Sequence, residues 1–206
     1  MRTHTKKTQA SVTPDDALQY LKEGNERFQN NLKANRNLLQ QVNETSDGQF
    51  PFAVILSCID SRTSAELIFD QGLGDIFSVR IAGNFINEDI LGSLEYACRV
   101  AGSKLVVVLG HTRCGAINAA CDGGADGYIG KLLEKVHPVV EKARREQPKD
   151  MSKEEFADQV ARLNVEYNVE KIRENSSALK QLEDDGKIRI VPAIYNVTEG
   201  SVTFFE

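Results

Sequence analysis

The sequence predicts an α/β fold: a mostly parallel central sheet of about four or five strands flanked by helices, with an N-terminal helical arm and a helical insertion before the last strands. Three observations predict it. Phe52-Ala53-Val54-Ile55-Leu56 and Leu105-Val106-Val107-Val108-Leu109 are continuous apolar runs between polar segments, the pattern of strands buried on both faces. An amphipathic helical stretch separates them, so strand and helix alternate. Residues 128–185 then carry helical patterning almost throughout.

Taken in order, residues 1–12 are polar and basic (Arg2, His4, Lys6, Lys7) and read as a disordered tail with no apolar segment of a signal peptide. A helical arm is expected over 13–35. Thr13 caps it, Pro14 fits its first position, and Asp15 and Asp16 meet the positive end of the helix dipole. Leu18, Leu21 and Phe28 form its stripe, with Asn25 on the same line. So thin an apolar face suits another subunit better than the chain's own core. Residues 30–50 are rich in Asn and Gln and turn at Asp47-Gly48. A short strand over Ile76–Arg80 precedes a helix opened by Asn87, whose apolar line is Leu91, Leu94, Cys98 and Ala101. Ser152 and Glu155 form a capping box, followed by a buried stripe of Phe156, Val160, Leu163 and Tyr167. Ile188–Val191 is a fourth strand. Ala193–Phe205 alternates and turns at Glu199-Gly200, a closing hairpin. With no repeat and no low-complexity linker, residues 1–206 read as one domain.

Composition narrows the function. The chain has 206 residues, 41% of them hydrophobic and 27% charged, with a formal net charge of −5. A mildly acidic chain has no general attraction to nucleic acid or anionic membrane, so neither is an expected partner. No window reaches the run of about 18 apolar residues that a membrane helix needs. The expected location is the cytoplasm. There the four cysteines, Cys58, Cys98, Cys114 and Cys121, are reduced and divide into packing residues and chemical ones.

Two segments concentrate chemistry, each directly after a buried strand: Ser57-Cys58-Ile59-Asp60-Ser61-Arg62 and Gly110-His111-Thr112-Arg113-Cys114-Gly115. In open α/β sheets, sites form outside the carboxyl ends of the strands, which is where both would lie. Side chains alternate faces along an extended chain, so Cys58 and Asp60 point the same way. His111 and Cys114, three apart at a helix start or tight turn, aim at one point. Two thiolates and an imidazole are a sound tetrahedral zinc set, and three protein ligands leave the fourth position open, as in catalytic sites. Each part taken singly has a plainer reading. A cysteine after a strand packs as a small hydrophobe, and Asp60 with Arg62 is an ordinary ion pair. Their co-occurrence at two strand ends favours the metal. Cys98 reads as core and Cys121 as a half-buried thiol. His4 and His137 read as solvated surface histidines.

Cys58-x-Asp60-Ser61-Arg62 followed by His111-x-x-Cys114 resembles the signature of the β-class carbonic anhydrases, and the likeness extends over about residues 15–205. The resemblance implies one zinc ion per chain on Cys58, His111 and Cys114, and reversible hydration of carbon dioxide to bicarbonate and a proton by zinc-bound hydroxide. It implies that Gln49, Phe77, Tyr96 and the backbone N–H of Gly115 form the substrate pocket, the first three reaching it from a neighbouring subunit of a homodimer or homotetramer. It also implies two states for Asp60, catalytic or a fourth zinc ligand that closes the site. A bidentate pair with Arg62 would hold Asp60 off the metal, which favours the open state. Two thiolates cancel the charge of the metal, so activity is expected to rise toward alkaline pH.

The chain departs from the family in places. Ile55 stands where bicarbonate-regulated members have Trp, although Arg80 and Tyr195 match that pocket. Ala82 stands where Val is frequent, and Ile59 replaces a common Ser at a position facing away from the metal. Three other functions keep the same residues. They are hydration of another heteroallene such as carbon disulfide or carbonyl sulfide, a zinc or bicarbonate sensor with a closed site, and a Cys–His nucleophile. The last makes no use of the second cysteine.

Overall fold

The computed structural model describes residues 3–146 and 150–205; Arg2 of the expected tail lies outside them. Rather than a disordered tail, residues 6–11 form a helix, α1 (Lys6–Ser11), opened by a Thr5–Thr8 capping box. The side-chain amide of Gln9 holds it down, donating to Pro51 O at 2.7 Å and Ala101 O at 2.8 Å. His4 is drawn in as well, its ring edge-on to Phe52 at 5.5 Å rather than solvated. Gln9→Ala would leave two carbonyls without this donor. The expected result is a loss of about 1–3 kcal/mol of unfolding free energy, read from urea denaturation.

The helix of the arm is α2 (Pro14–Gln29), with the expected Thr13 cap and Pro14 at its start; it ends short of residue 35. Its face is not left for another subunit. Ala17, Leu18 and Leu21 are buried against this chain's own sheet. Close approach makes a thin stripe sufficient: a Cβ on Gly24 would come within 1.8 Å of Phe69 O. Asn25 adds polar ties, donating to Ile68 O at 3.1 Å and Gly200 O at 2.9 Å. The Asn/Gln-rich stretch then contains α3 (Leu38–Glu44), which buries Gln41 and exposes Leu38, Leu39 and Val42.

Next come β1 (Ala53–Ser57), α4 (Ala65–Ile68), β2 (Ile76–Arg80), α5 (Glu88–Glu95) and β3 (Leu105–His111). A π-helical turn, Tyr96–Val100, extends α5. The chain continues through α6 (Gly115–Cys121), α7 (Gly127–Leu133), α8 (His137–Glu146), α9 (Lys153–Asn175), α10 (Ser177–Asp184), β4 (Arg189–Tyr195) and β5 (Val202–Phe204). The strand order is β2-β1-β3-β4-β5, parallel except for the antiparallel β4–β5 hairpin. The five strands match the expected sheet, with β4 running to Tyr195 rather than stopping at Val191.

Burial explains the order. Every residue of β1 and β3 is buried, as the continuous apolar runs require. One face, with Ile55 and Val107, packs on α2 and α4. The other, with Val54, Leu56, Val106 and Val108, packs on α5, α9 and α10. The α9 face differs from the expected stripe. Phe156, Leu163 and Tyr167 are only partly buried, whereas Ala157, Ala161, Asn164, Val165, Asn168, Val169 and Ile172 join Val160 inside. Small side chains let this helix lie close on β3 and β4.

Candidate metal centre

Both signature loops leave the carboxyl edge of the sheet, from β1 and β3, which are hydrogen-bonded neighbours in register. Cys58 directly follows β1, His111 ends β3, and Cys114 stands just before α6. The turn between the last two requires Arg113 in the left-handed region, φ 54°. Asp158 of α9 holds it there, accepting the Arg113 N–H at 2.9 Å. Three residues apart in sequence, His111 and Cys114 thus come round to face Cys58.

One ligand atom each from Cys58, His111 and Cys114 lie within 4.8 Å of one another, and all three residues are buried. The two sulfurs are 4.0 Å apart, close to the roughly 3.8 Å expected of two thiolates about 2.3 Å from one tetrahedral zinc. His111 Nδ1 donates to Thr112 O at 2.9 Å, which leaves Nε2 as the nitrogen carrying a lone pair. That Nε2 is buried with no hydrogen-bond partner in the protein, an arrangement that costs free energy unless a Lewis acid meets it. Cys114 S–H, with the Gly83 and Asp60 N–H groups, favours the Cys58 thiolate and holds the Cys58 pKa well below the usual thiol range, against the cost of burial. Cys58 in turn, with burial, pushes Cys114 upward. The donor set fits a zinc ion.

Asp60 and Arg62 adopt the expected bidentate geometry. Arg62 Nε donates to Asp60 Oδ1 at 2.9 Å and Nη2 to Oδ2 at 2.8 Å, with the Arg62 backbone N–H on Oδ1 at 3.0 Å. Against a smaller cost of burial, these hydrogen bonds keep the Asp60 carboxyl well below the usual carboxylate range. Asp60 Oδ2 stands 4.0 Å from His111 Nε2, beside the cage rather than in it.

The other expected residues divide. Gly115, which starts α6, is adjacent to Cys114 and open, with nothing within 4 Å of a built Cβ. Phe77 and Tyr96 meet each other, ring centroids 6.4 Å apart, in a groove with Ser78, Val79, Glu88 and Gly92 that contains none of the three ligand candidates. Phe77 pairs with Val54, four residues before Cys58. That is roughly 13 Å away along the strand at about 3.3 Å per residue. Gln49 is exposed beside the Thr45–Gly48 turn. Within one chain, these three sit away from the cage. Cys98 is buried and Cys121 half-buried, neither among the ligand candidates. His137 lies on the surface, 61% exposed.

Sequence reasoning missed a third loop at the same edge. Gly83, after β2, points its N–H at Cys58 Sγ, 3.5 Å away. Its signal was available: Gly83-Asn84 follows a strand as the two signature loops do. Arg80, matched to a regulatory pocket, spans Cys58 O at 3.0 Å and Asp60 O at 2.6 Å. Ile55, in place of the regulatory Trp, is sealed in the core. Ile59 is 61% exposed, facing away as expected.

A family model described as Carbonic anhydrase matches residues 53–202. "Carbonic anhydrase 2" of Mycobacterium tuberculosis is 39% identical over 198 residues, 92% of each chain. A "Carbonic anhydrase" of Mycolicibacterium smegmatis is 36% identical over 196 residues, again 92% of each. Among solved structures, the β-carbonic anhydrase CafA of Aspergillus fumigatus superposes with a TM-score of 0.75 at 26% identity, covering 82% of this chain and 81% of that one. A Coccomyxa β-carbonic anhydrase shares the fold, with a TM-score of 0.71 at 24% identity over 78% of this chain and 74% of that one. With the signature residues gathered at one sheet edge and a family model running from β1 to the start of β5, the chain belongs to the β-class carbonic anhydrases.

Proposed function

We propose that Cys58, His111 and Cys114 hold one zinc ion, and that Asp60 and Arg62 are the catalytic pair of a carbonic anhydrase whose substrate pocket is completed by a second copy of the chain. The observation that carries the metal assignment is the buried, unpartnered His111 Nε2 facing two sulfurs 4.0 Å apart. The reaction is the reversible hydration of carbon dioxide to bicarbonate and a proton. A zinc ion held by these three residues would supply a water acidic enough to ionise under working conditions.

The protein's own part is orientation. Asp60, beside the cage, would accept a hydrogen bond from the attacking oxygen and turn one of its lone pairs toward carbon. Arg62 occupies both Asp60 oxygens, which supports the open state. For Asp60 to become the fourth ligand, that bidentate pair must break. The Gly115 N–H, at the start of α6 beside Cys114, would donate to an oxygen of the bicarbonate. Gln49, Phe77 and Tyr96 lie away from their own chain's cage, and Tyr96 is 55% exposed on the edge-strand side of the sheet. Both facts support their serving the site of a neighbour in a homodimer or homotetramer. Among the described residues no helix is long and apolar enough to cross a membrane, and the cytoplasm, where the cysteines stay reduced, is the compartment we assign. One continuous sheet carrying helices from both ends of the sequence supports reading 1–206 as one domain.

Stopped-flow hydration of carbon dioxide against pH, on protein whose zinc is counted by mass spectrometry, tests the assignment. The expected result is one zinc per chain and a rate that climbs into the alkaline range. Asp60 stays ionised throughout that range, so its titration does not produce the climb. A flat pH profile, or full activity without zinc, would overturn the reading.

A further inference from the structure

Two asparagines are buried in the middle of α9, on the face that otherwise presents alanine and valine to the sheet. Asn164 is 0% and Asn168 2% exposed. Buried amides on a helix face demand partners, and here the partners lie in one place. The Ile86 N–H donates to Asn168 Oδ1 at 2.9 Å. This turns Asn168 Nδ2 toward Asn164, whose O and Oδ1 it meets at 2.8 and 3.1 Å. Asn164 Nδ2 is thereby left to face Gly83 O, donating at 2.9 Å. Each amide orientation follows from its neighbour's chemistry.

Gly83 is the residue whose N–H points at Cys58 Sγ. It occupies the third position of a turn closed by Asn84 N–H on Ile81 O at 2.9 Å, with φ +79°. The peptide units on either side of such a residue can rotate, and the turn's own hydrogen bond ties the Gly83–Asn84 unit rather than the Ala82–Gly83 unit that carries the Gly83 N–H. Holding the carbonyl of Gly83 limits that rotation. We infer that Asn164 is a positioning residue for the metal centre. By gripping Gly83 O it aims the Gly83 N–H at Cys58 Sγ, and this hydrogen bond both holds the sulfur in place for the metal and draws electron density from it. The inference rests on the zinc reading above and adds a residue that touches neither metal nor substrate. Outer-shell partners of this kind are worth about 10- to 100-fold in metal affinity or activity.

The test compares Asn164→Ala with Val165→Ala, which loosens the same helix against the same sheet without touching Gly83. Both proteins, and the wild type, are loaded with cobalt(II) and with zinc. In Asn164→Ala the sulfur-to-cobalt charge-transfer band should move to lower energy, and zinc should be lost to a chelator about 10-fold faster or more. Val165→Ala should lower the melting temperature and leave the band in place. If Asn164→Ala does not fold, Asn164→Ser keeps a buried hydroxyl for Asn168 but is too short to reach Gly83 O, and the same shift is expected. An unmoved band with an unchanged rate of zinc loss, in whichever variant folds, overturns the inference while the zinc reading stands. Wild-type protein that shows no sulfur-to-cobalt band overturns the zinc reading itself.

Discussion

Asp60→Ala is expected to lower kcat for carbon dioxide hydration by about 10²- to 10³-fold with zinc still at one per chain. Asp60 is outside the trio of ligand atoms, so its removal leaves the cage whole. What disappears is the carboxylate that stands 4.0 Å from His111 Nε2. Arg62→Ala should be nearly as severe for a different reason. Arg62 is the principal cause of the low Asp60 pKa. Without it the carboxyl returns toward the ordinary 3.8 and remains ionised at any pH above about 5. The loss is therefore one of position: freed of its bidentate partner, Asp60 can reach the fourth corner and block it. The double variant distinguishes these roles. It should be no slower than Asp60→Ala alone, because with no carboxylate present there is nothing for Arg62 to restrain. Two rate losses that multiply, or an Asp60→Ala enzyme within about threefold of wild type, would refute the division of labour.

The parts of this site that were legible in the sequence share a physical cause. Parallel strands buried on both faces must be apolar at every position, so β1 and β3 stand out as unbroken runs, and the residues that follow them are marked as the carboxyl edge. Cys58, Asp60, Arg62, His111 and Cys114 could be read as a group because fold geometry alone brings those two edges together. Phe77 and Tyr96 came from family resemblance. On an edge strand of mixed burial and on an exposed π-helical turn, they carry no local signal of a pocket.

What stayed illegible depends on contacts distant in sequence. α1 is five polar residues and one alanine with no stripe, and it is held by the Gln9 amide to Pro51 and Ala101, far along the chain. α3 inverts the usual pattern, with leucines outward and a glutamine inward, so periodicity misleads there. The face of α9 was misjudged because its aromatic residues look like core. The tight approach to β3 and β4 is made instead by alanines, valines and the two asparagines. Those asparagines look like helix-weakening residues until Gly83 and Ile86 are seen opposite them.

Cys114→Ser should abolish the enzyme. Serine replaces a sulfur donor with a hydroxyl that is not ionised near neutral pH, and the remaining pair, Cys58 and His111, is too few to retain zinc against a chelator. Zinc should fall well below one per chain, and hydration should drop by about 10⁴-fold or more, because unassisted water has a pKa of about 15.7 against about 7 in catalytic zinc sites. Cys98→Ser is the matched control. Cys98 is a buried thiol pushed up to about 12 by desolvation, so it carries no charge at working pH and gives up no ligand. That variant should keep its zinc and its rate while unfolding at lower urea, since a hydroxyl replaces a thiol packed among Leu94, Ala97 and their neighbours. The contrast separates chemistry from packing. Zinc and rate lost in Cys114→Ser alone places the metal where the two sulfurs and the unpartnered imidazole converge. Zinc retained at one per chain in Cys114→Ser, with the rate intact, would mean that the cage is not the metal site.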